Sequence, residues 1–212
     1  VLFCVLMFVG GLSWKIIGGV LAVAVPSVLV FLSIVMQEGQ TLIKDYQRDR
    51  IMAFFDPATY ADTEAYQQLN SVIAIGSGQL WGKGLNNTDI ASVKNGNFLP
   101  ESQTDFIFAV IGEELGFVGS AVVILLLILI AMRCVSIARV AKDTAGMVIA
   151  AGMGSLIGIQ GFMNIAVATM MMPNTGLPLP FVSYGLSSLV SMYIGIGFVL
   201  NVGLQRKNLY NL

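Results

Sequence analysis

The sequence predicts an all-α fold, a polytopic transmembrane helical bundle, and three observations predict it. Of 212 residues, 56% are hydrophobic and only 11% charged, with a mean hydropathy of +0.82. A soluble chain of this length needs far more charge to cover its surface. Four apolar stretches come close to or exceed the roughly 20 residues that cross a bilayer. Finally, the lysines and arginines of the short connections fall on one side if every stretch crosses.

In chain order, residues 1–12 read as the tail of a helix. Val1 stands directly in an apolar run, without an initiator Met or a basic n-region, so this is no signal peptide and the sequence reads as a fragment whose earlier helices are missing. A Ser13-Trp14-Lys15 turn leads into a full span at 16–36. Segment 37–103 changes character: it is polar and rich in turn formers, and nine of the twelve acidic residues lie between 37 and 105. A third span has its apolar part running to Arg133, a fourth covers 146–172 and a fifth 183–203. The expectation is about five membrane helices in a single polytopic domain over residues 1–212, with 37–103 as a long loop within it.

Orientation follows from the basic residues. Lys15, the group Arg133, Arg139 and Lys142, and the pair Arg206 and Lys207 share one side, whereas the connection 173–182 carries no Lys or Arg. The positive-inside rule makes the basic side cytoplasmic. Segment 37–103 has five basic residues, but loops of that length vote weakly. It is therefore extracytoplasmic, and the C-terminus is cytoplasmic.

Gly146, Ala150, Gly154 and Gly158 repeat every four residues and predict a seam for close helix packing, as do Ser187, Ser191 and Gly195. Gln160 and Asn164, one turn apart, are suited to hydrogen bonds across helices. Within the loop, Leu42, Ile43, Tyr46, Arg50 and Ala53 suggest an amphipathic helix ending before Asp56. Tyr66, Leu69 and Ile73 suggest a second, and both would lie along the membrane surface.

Several classes of chemistry drop out. The chain contains no histidine, which removes His-based acid–base, metal and triad schemes and leaves proton transfer mainly to carboxylates. No basic cluster points to nucleic acid. Cys4 and Cys134 lie in apolar segments, where cysteine behaves as a small buried hydrophobe.

The strongest constellation is PESQTDFIF at 100–108, leading into IGEELG at 111–116. Counting back 20 residues from Arg133 puts the hydrocarbon edge near Glu113, with Asp105 about 12 Å further out, at headgroup depth. Thr104 or Ser102 can cap the helix that follows, and acidic residues in a first turn favour the helix dipole, so a structural role for Asp105 stays open. Glu113 and Glu114, so near hydrocarbon, read as structural or functional candidates. The run GSGQLWGKG at 76–84 fails as a Walker motif, but Lys83 between glycines offers a cation and backbone N–H groups suited to a diphosphate. The loop PNTGLPLPFVSYG at 173–185 holds three prolines and two other turn formers, Gly176 and Gly185. It is either a stiff connector or a wall of a site beside Asp105.

These strings, PESQTDFIFAVIGEELGFVG, GSGQLWGKG and TGLPLPFVSYG, together with YQRDRIMAFFDP, resemble the SEDS family of RodA, FtsW and SpoVE over essentially the whole chain. The resemblance implies a ten-helix protein of which this is the last half, in the bacterial cytoplasmic (inner) membrane. It further implies a glycosyltransferase that polymerises lipid II onto a lipid-linked glycan strand alongside a class B penicillin-binding protein. The carboxylate of the TDFIF motif, here Asp105, is the implied catalytic residue, with Lys83, Glu101, Gln103, Ser183 and Tyr184 as substrate-binding candidates. Two positions depart from the family pattern. Gln103 stands where relatives often have His, and Leu186 replaces the second glycine after Tyr184. The expected reaction is attack by a GlcNAc 4-hydroxyl on the anomeric carbon of the strand, with inversion and loss of a lipid diphosphate. Asp105 would take the proton, and Glu101, one turn away, or partial burial would raise its pKa. Lys83, another basic residue or a divalent cation (Mg or Mn) would offset charge on the diphosphate. Two readings of other classes stand beside it: a lipid II flippase and a non-catalytic scaffold for wall enzymes.

Overall fold

The computed structural model describes residues 2–35, 44–63, 65–85, 99 and 102–205. Every regular element among them is helical: α1 (Leu2–Val9), α2 (Trp14–Val35), α3 (Asp45–Phe55), α4 (Tyr66–Ser77), α5 (Ile107–Arg139), α6 (Thr144–Ala168) and α7 (Leu186–Leu204). Four of them, α2, α5, α6 and α7, are long and apolar enough to cross a membrane. Helix α1 has only 8 residues, too few for a span, and lies against α6.

The core is built by α5 and α6, and α4 and α7 each pack against both. Small residues permit the close approach. A Cβ on Gly154 would stand 2.9 Å from the Ala131 carbonyl oxygen and 3.0 Å from Cys134 Cβ, and one on Gly146 would stand 3.1 Å from Val202. The predicted seam therefore holds for Gly146, Ala150 and Gly154, all buried. At Gly158 it ends, since a Cβ there meets nothing within 4 Å. The second seam is shorter still: only Gly195 packs closely, against Met153, while Ser187 and Ser191 are exposed.

Helix α5 is interrupted where the sequence shows a plain span. Gly116 has φ 65° and ψ −164°, a conformation that L side chains scarcely reach. The backbone groups freed there are taken by the chain that follows α4. Phe117 N–H donates to Gln79 O (2.8 Å), Val118 N–H to Leu80 O (3.2 Å), and Lys83 and Gly84 N–H to Glu113 and Glu114 O (2.9 and 3.0 Å). A broken helix near hydrocarbon is tolerated only where such partners exist.

The sequence suggests that α4 lies along the membrane surface with Tyr66, Leu69 and Ile73 on its apolar face. Ile73 on that face is 67% exposed, and Gln68, Ser71 and Ala74 are buried against α5 and α6. Gln68 and Ser71 donate to the carbonyls of Val167, Met172 and Ala168, at the end of α6. Further along, Gly78 touches the carbonyl of Gly112. Helix α4 thus descends beside the first turns of α5, and the turn after it shows Leu80 and Trp81 outward, next to exposed Phe117. A polar inner face with an apolar outer face is what an element dipping into lipid requires. Helix α3 ends at Phe55, as expected from Asp56. Leu42, Ile43, Arg206 and Lys207 lie outside the described residues.

Candidate functional site

Asp105 stands in a turn, residues 102–106, immediately before α5. The helix begins at Ile107, and its N-cap, Phe106, makes no side-chain capping bond. No acidic residue occupies its first turn, and Asp105 stands one residue before the N-cap. Phe106, Leu99 and Leu179 are buried in the hydrophobic core.

Loop 173–185 folds over this turn and is stapled to it. Ser183 Oγ donates to Thr104 O (2.6 Å) and accepts from Leu179 N–H (2.6 Å). Tyr184 N–H donates to Gln103 O (2.8 Å). From α6, the Asn164 amide donates to Asp105 O and to Leu177 O, each at 2.7 Å, and Gln160 donates to Pro178 O (2.9 Å). Prolines remove donors from the loop, so its carbonyls are held from outside by these amides. A Cβ on Gly176 would stand 3.3 Å from Asp105 Oδ2, and Gly176 has φ 65°. The loop is therefore a wall against the Asp105 carboxylate. The carboxylate itself is half-buried, with exposed Gln103, Thr175 and Gly176 around it.

The other candidates divide. Tyr184 is 77% exposed, open to a ligand at the loop's far end. Ser183 is 1% exposed, and its only hydroxyl hydrogen is committed to Thr104, so it shapes the wall. Glu101 lies outside the described residues. Lys83 departs most from expectation. Its Nζ lies 2.8 Å from Glu113 Oε1, and Glu113 is nearly fully buried. Its backbone N–H is also taken, by Glu113 O. The pair sits six residues past the start of α5, about 9 Å along the axis, not beside Asp105. Charge removal there should act on stability: Lys83→Met is expected to cost about 2 kcal/mol, below the fully buried range because Lys83 is partly exposed. Lys83→Met/Glu113→Leu should recover most of it, as read from apparent unfolding temperatures in detergent. A single variant as stable as wild type would show that the pair holds nothing.

Among the described residues, no group of three or more Cys, Asp or Glu side chains is placed to hold a metal ion. Cys4 and Cys134 are free thiols, Cys134 buried. Sequence reasoning missed Gln68 and Ser71; the signal was their i, i+3 spacing with Ala74 and Gly78 on one face.

The family model for FtsW, RodA and SpoVE, described as "Cell cycle protein", matches residues 1–208. The chain belongs to this family. It is 41% identical over 203 residues to the peptidoglycan glycosyltransferase MrdB of Escherichia coli, covering 96% of this chain and 52% of that protein. It is 38% identical over 205 residues to a probable peptidoglycan glycosyltransferase FtsW of Nitrosomonas europaea, covering 95% and 50%. A solved structure described as "Structural coordination of polymerization and crosslinking by a peptidoglycan synthase complex" superposes with a TM-score of 0.70 at 30% identity, covering 96% of this chain and 53% of that one. The chain spans about half the length of the curated relatives it matches. Membership of the FtsW/RodA/SpoVE family and the four apolar helices make this a multi-pass membrane protein.

Proposed function

We propose that this chain carries the catalytic half of a glycan-strand polymerase that uses lipid II at the outer face of the cytoplasmic membrane. The observation that carries this reading is the Asp105 carboxylate, set against loop 173–185 in the turn that precedes α5. A carboxylate so walled can receive the proton of a GlcNAc 4-hydroxyl as that oxygen attacks the anomeric carbon of the lipid-linked strand. The carbon inverts and the lipid diphosphate leaves. Gln103 and Tyr184, exposed on the two segments that meet at the site, are the candidate sugar contacts, while Ser183 sets the wall. A class B penicillin-binding protein is the proposed partner, supported by the synthase-complex relative.

The decisive experiment uses the full-length protein purified with its partner and supplied with lipid II in detergent, where no bilayer exists to be crossed. Glycan strands should form. A folded complex that makes none, yet moves lipid II across vesicle membranes, would establish transport instead.

The proposed orientation has its own check. Thr175 and Asp143 are both exposed and flank the two ends of α6. With Cys4 and Cys134 replaced, a cysteine at Thr175 should react with an impermeant thiol reagent in intact spheroplasts, and one at Asp143 should not. The reverse pattern would put the site on the cytoplasmic side.

A further inference from the structure

Asn164 is 1% exposed on α6, and both Nδ2 hydrogens are engaged, one by Asp105 O and one by Leu177 O, each at 2.7 Å. Two carbonyl acceptors fix the amide's orientation, because the reversed amide would set Oδ1 against both. Oδ1 is buried and, among the described residues, finds no hydrogen-bond partner, an uncommon state for a side-chain polar atom. The two carbonyls belong to different segments, the turn that carries Asp105 and the loop that carries Gly176. Gly176 in turn lies against the Asp105 carboxylate. Helix α6 is the rigid member here: around Asn164, Gly161 approaches Leu127 and Pro180, and Ile157, Ala166 and Val167 are buried.

We infer that Asn164 is the positioning residue of the Asp105 site, fixing the distance between the carboxylate and the wall that faces it by tying both to one point on α6. This rests on the reading of Asp105 given above. Asn164 itself touches no reacting atom. Ser183 and Tyr184 join loop to turn at residues 103 and 104; Asn164 holds residue 105 and anchors the assembly to the bundle. Leucine at this position keeps the bulk and removes both donors, and aspartate keeps the shape and turns the donors into an acceptor.

The test places Asn164→Leu and Asn164→Asp in the full-length protein with its partner. kcat for strand synthesis should fall about 10–100-fold, the scale expected when a catalytic group shifts by about 1 Å, with KM for lipid II within about twofold. Backbone hydrogen exchange should quicken in 102–106 and 173–185 more than in the helices. In an Asp105→Asn background, Asn164→Leu should add little further loss, because the base it positions is already gone. Losses that multiply in the double variant, a change confined to KM, or unaltered exchange with unaltered kcat would overturn the inference. Full-rate synthesis by Asp105→Asn alone is a different result: it removes the base reading, and with it the catalytic meaning of Asn164, whatever the exchange data report. If Asn164→Leu does not fold, the near-isosteric Asn164→Asp supplies the same rate, exchange and double-variant comparisons.

Discussion

Asp105→Asn is expected to lower glycan polymerisation about 10²–10⁴-fold, the usual contribution of a positioned general base, while expression, folding and partner binding persist. The substitution keeps size and most hydrogen-bonding capacity, and removes the carboxylate. Were Asp105 only a helix cap, asparagine, an equally good cap, would cost little stability and leave polymerisation largely intact. The measurement is strand formation from lipid II by the full-length protein with its partner, alongside an apparent unfolding temperature. A well-folded Asp105→Asn enzyme that polymerises normally sinks the mechanism. Asp105→Glu, which retains the base on a longer arm, should fall between wild type and Asp105→Asn.

The parts of this fold that are legible in the sequence are those governed by long-range averages. Span count and approximate limits follow from hydropathy, because lipid demands about 20 apolar residues whatever the neighbours are. Helices α2, α5, α6 and α7 sit where that predicts. The end of α3 is legible locally, since Asp56 and Pro57 stop a helix. What hydropathy does not encode is which residues an inserted segment turns inward. In α4 the apolar stripe of Tyr66, Leu69 and Ile73 is legible, while the inward turn of Gln68 and Ser71 to the carbonyls at the end of α6 is a tertiary fact.

The site is legible in a similarly uneven way. Asp105 and the 173–185 loop are marked by sequence motif, and their meeting is a tertiary fact carried by Asn164, Ser183 and Gly176. Asn164 gives a faint signal as a polar residue within an apolar helix. Lys83 is visible in the sequence as a lysine between glycines, but its ion partner is not. Gly82 lets the backbone press against Glu114 and Gly116, and that approach brings the lysine to the buried carboxylate of Glu113.

The same packing sets up the second large effect, at Gly116. Its φ of 65° and ψ of −164° cost an alanine about 1–3 kcal/mol in backbone strain. A Cβ there would also press on Gly82 N and come within 2.7 Å of the Leu80 carbonyl. Neither contact is the end of a flexible side chain, so the 79–84 segment must move and give up its bonds to Phe117, Val118, Glu113 and Glu114. Gly116→Ala is therefore expected to destabilise by about 3 kcal/mol or more, seen as a large drop in apparent unfolding temperature and yield of the full-length protein. Gly76→Ala is the matched comparison. Gly76 lies in α4, where an added Cβ would meet nothing within 4 Å, and alanine there should be neutral or stabilising by up to about 1 kcal/mol. If Gly116→Ala proved as stable as Gly76→Ala, the break in α5 would be a loose kink rather than a joint locked by the chain after α4. The descent of α4 beside the first turns of α5 would then lose its anchor.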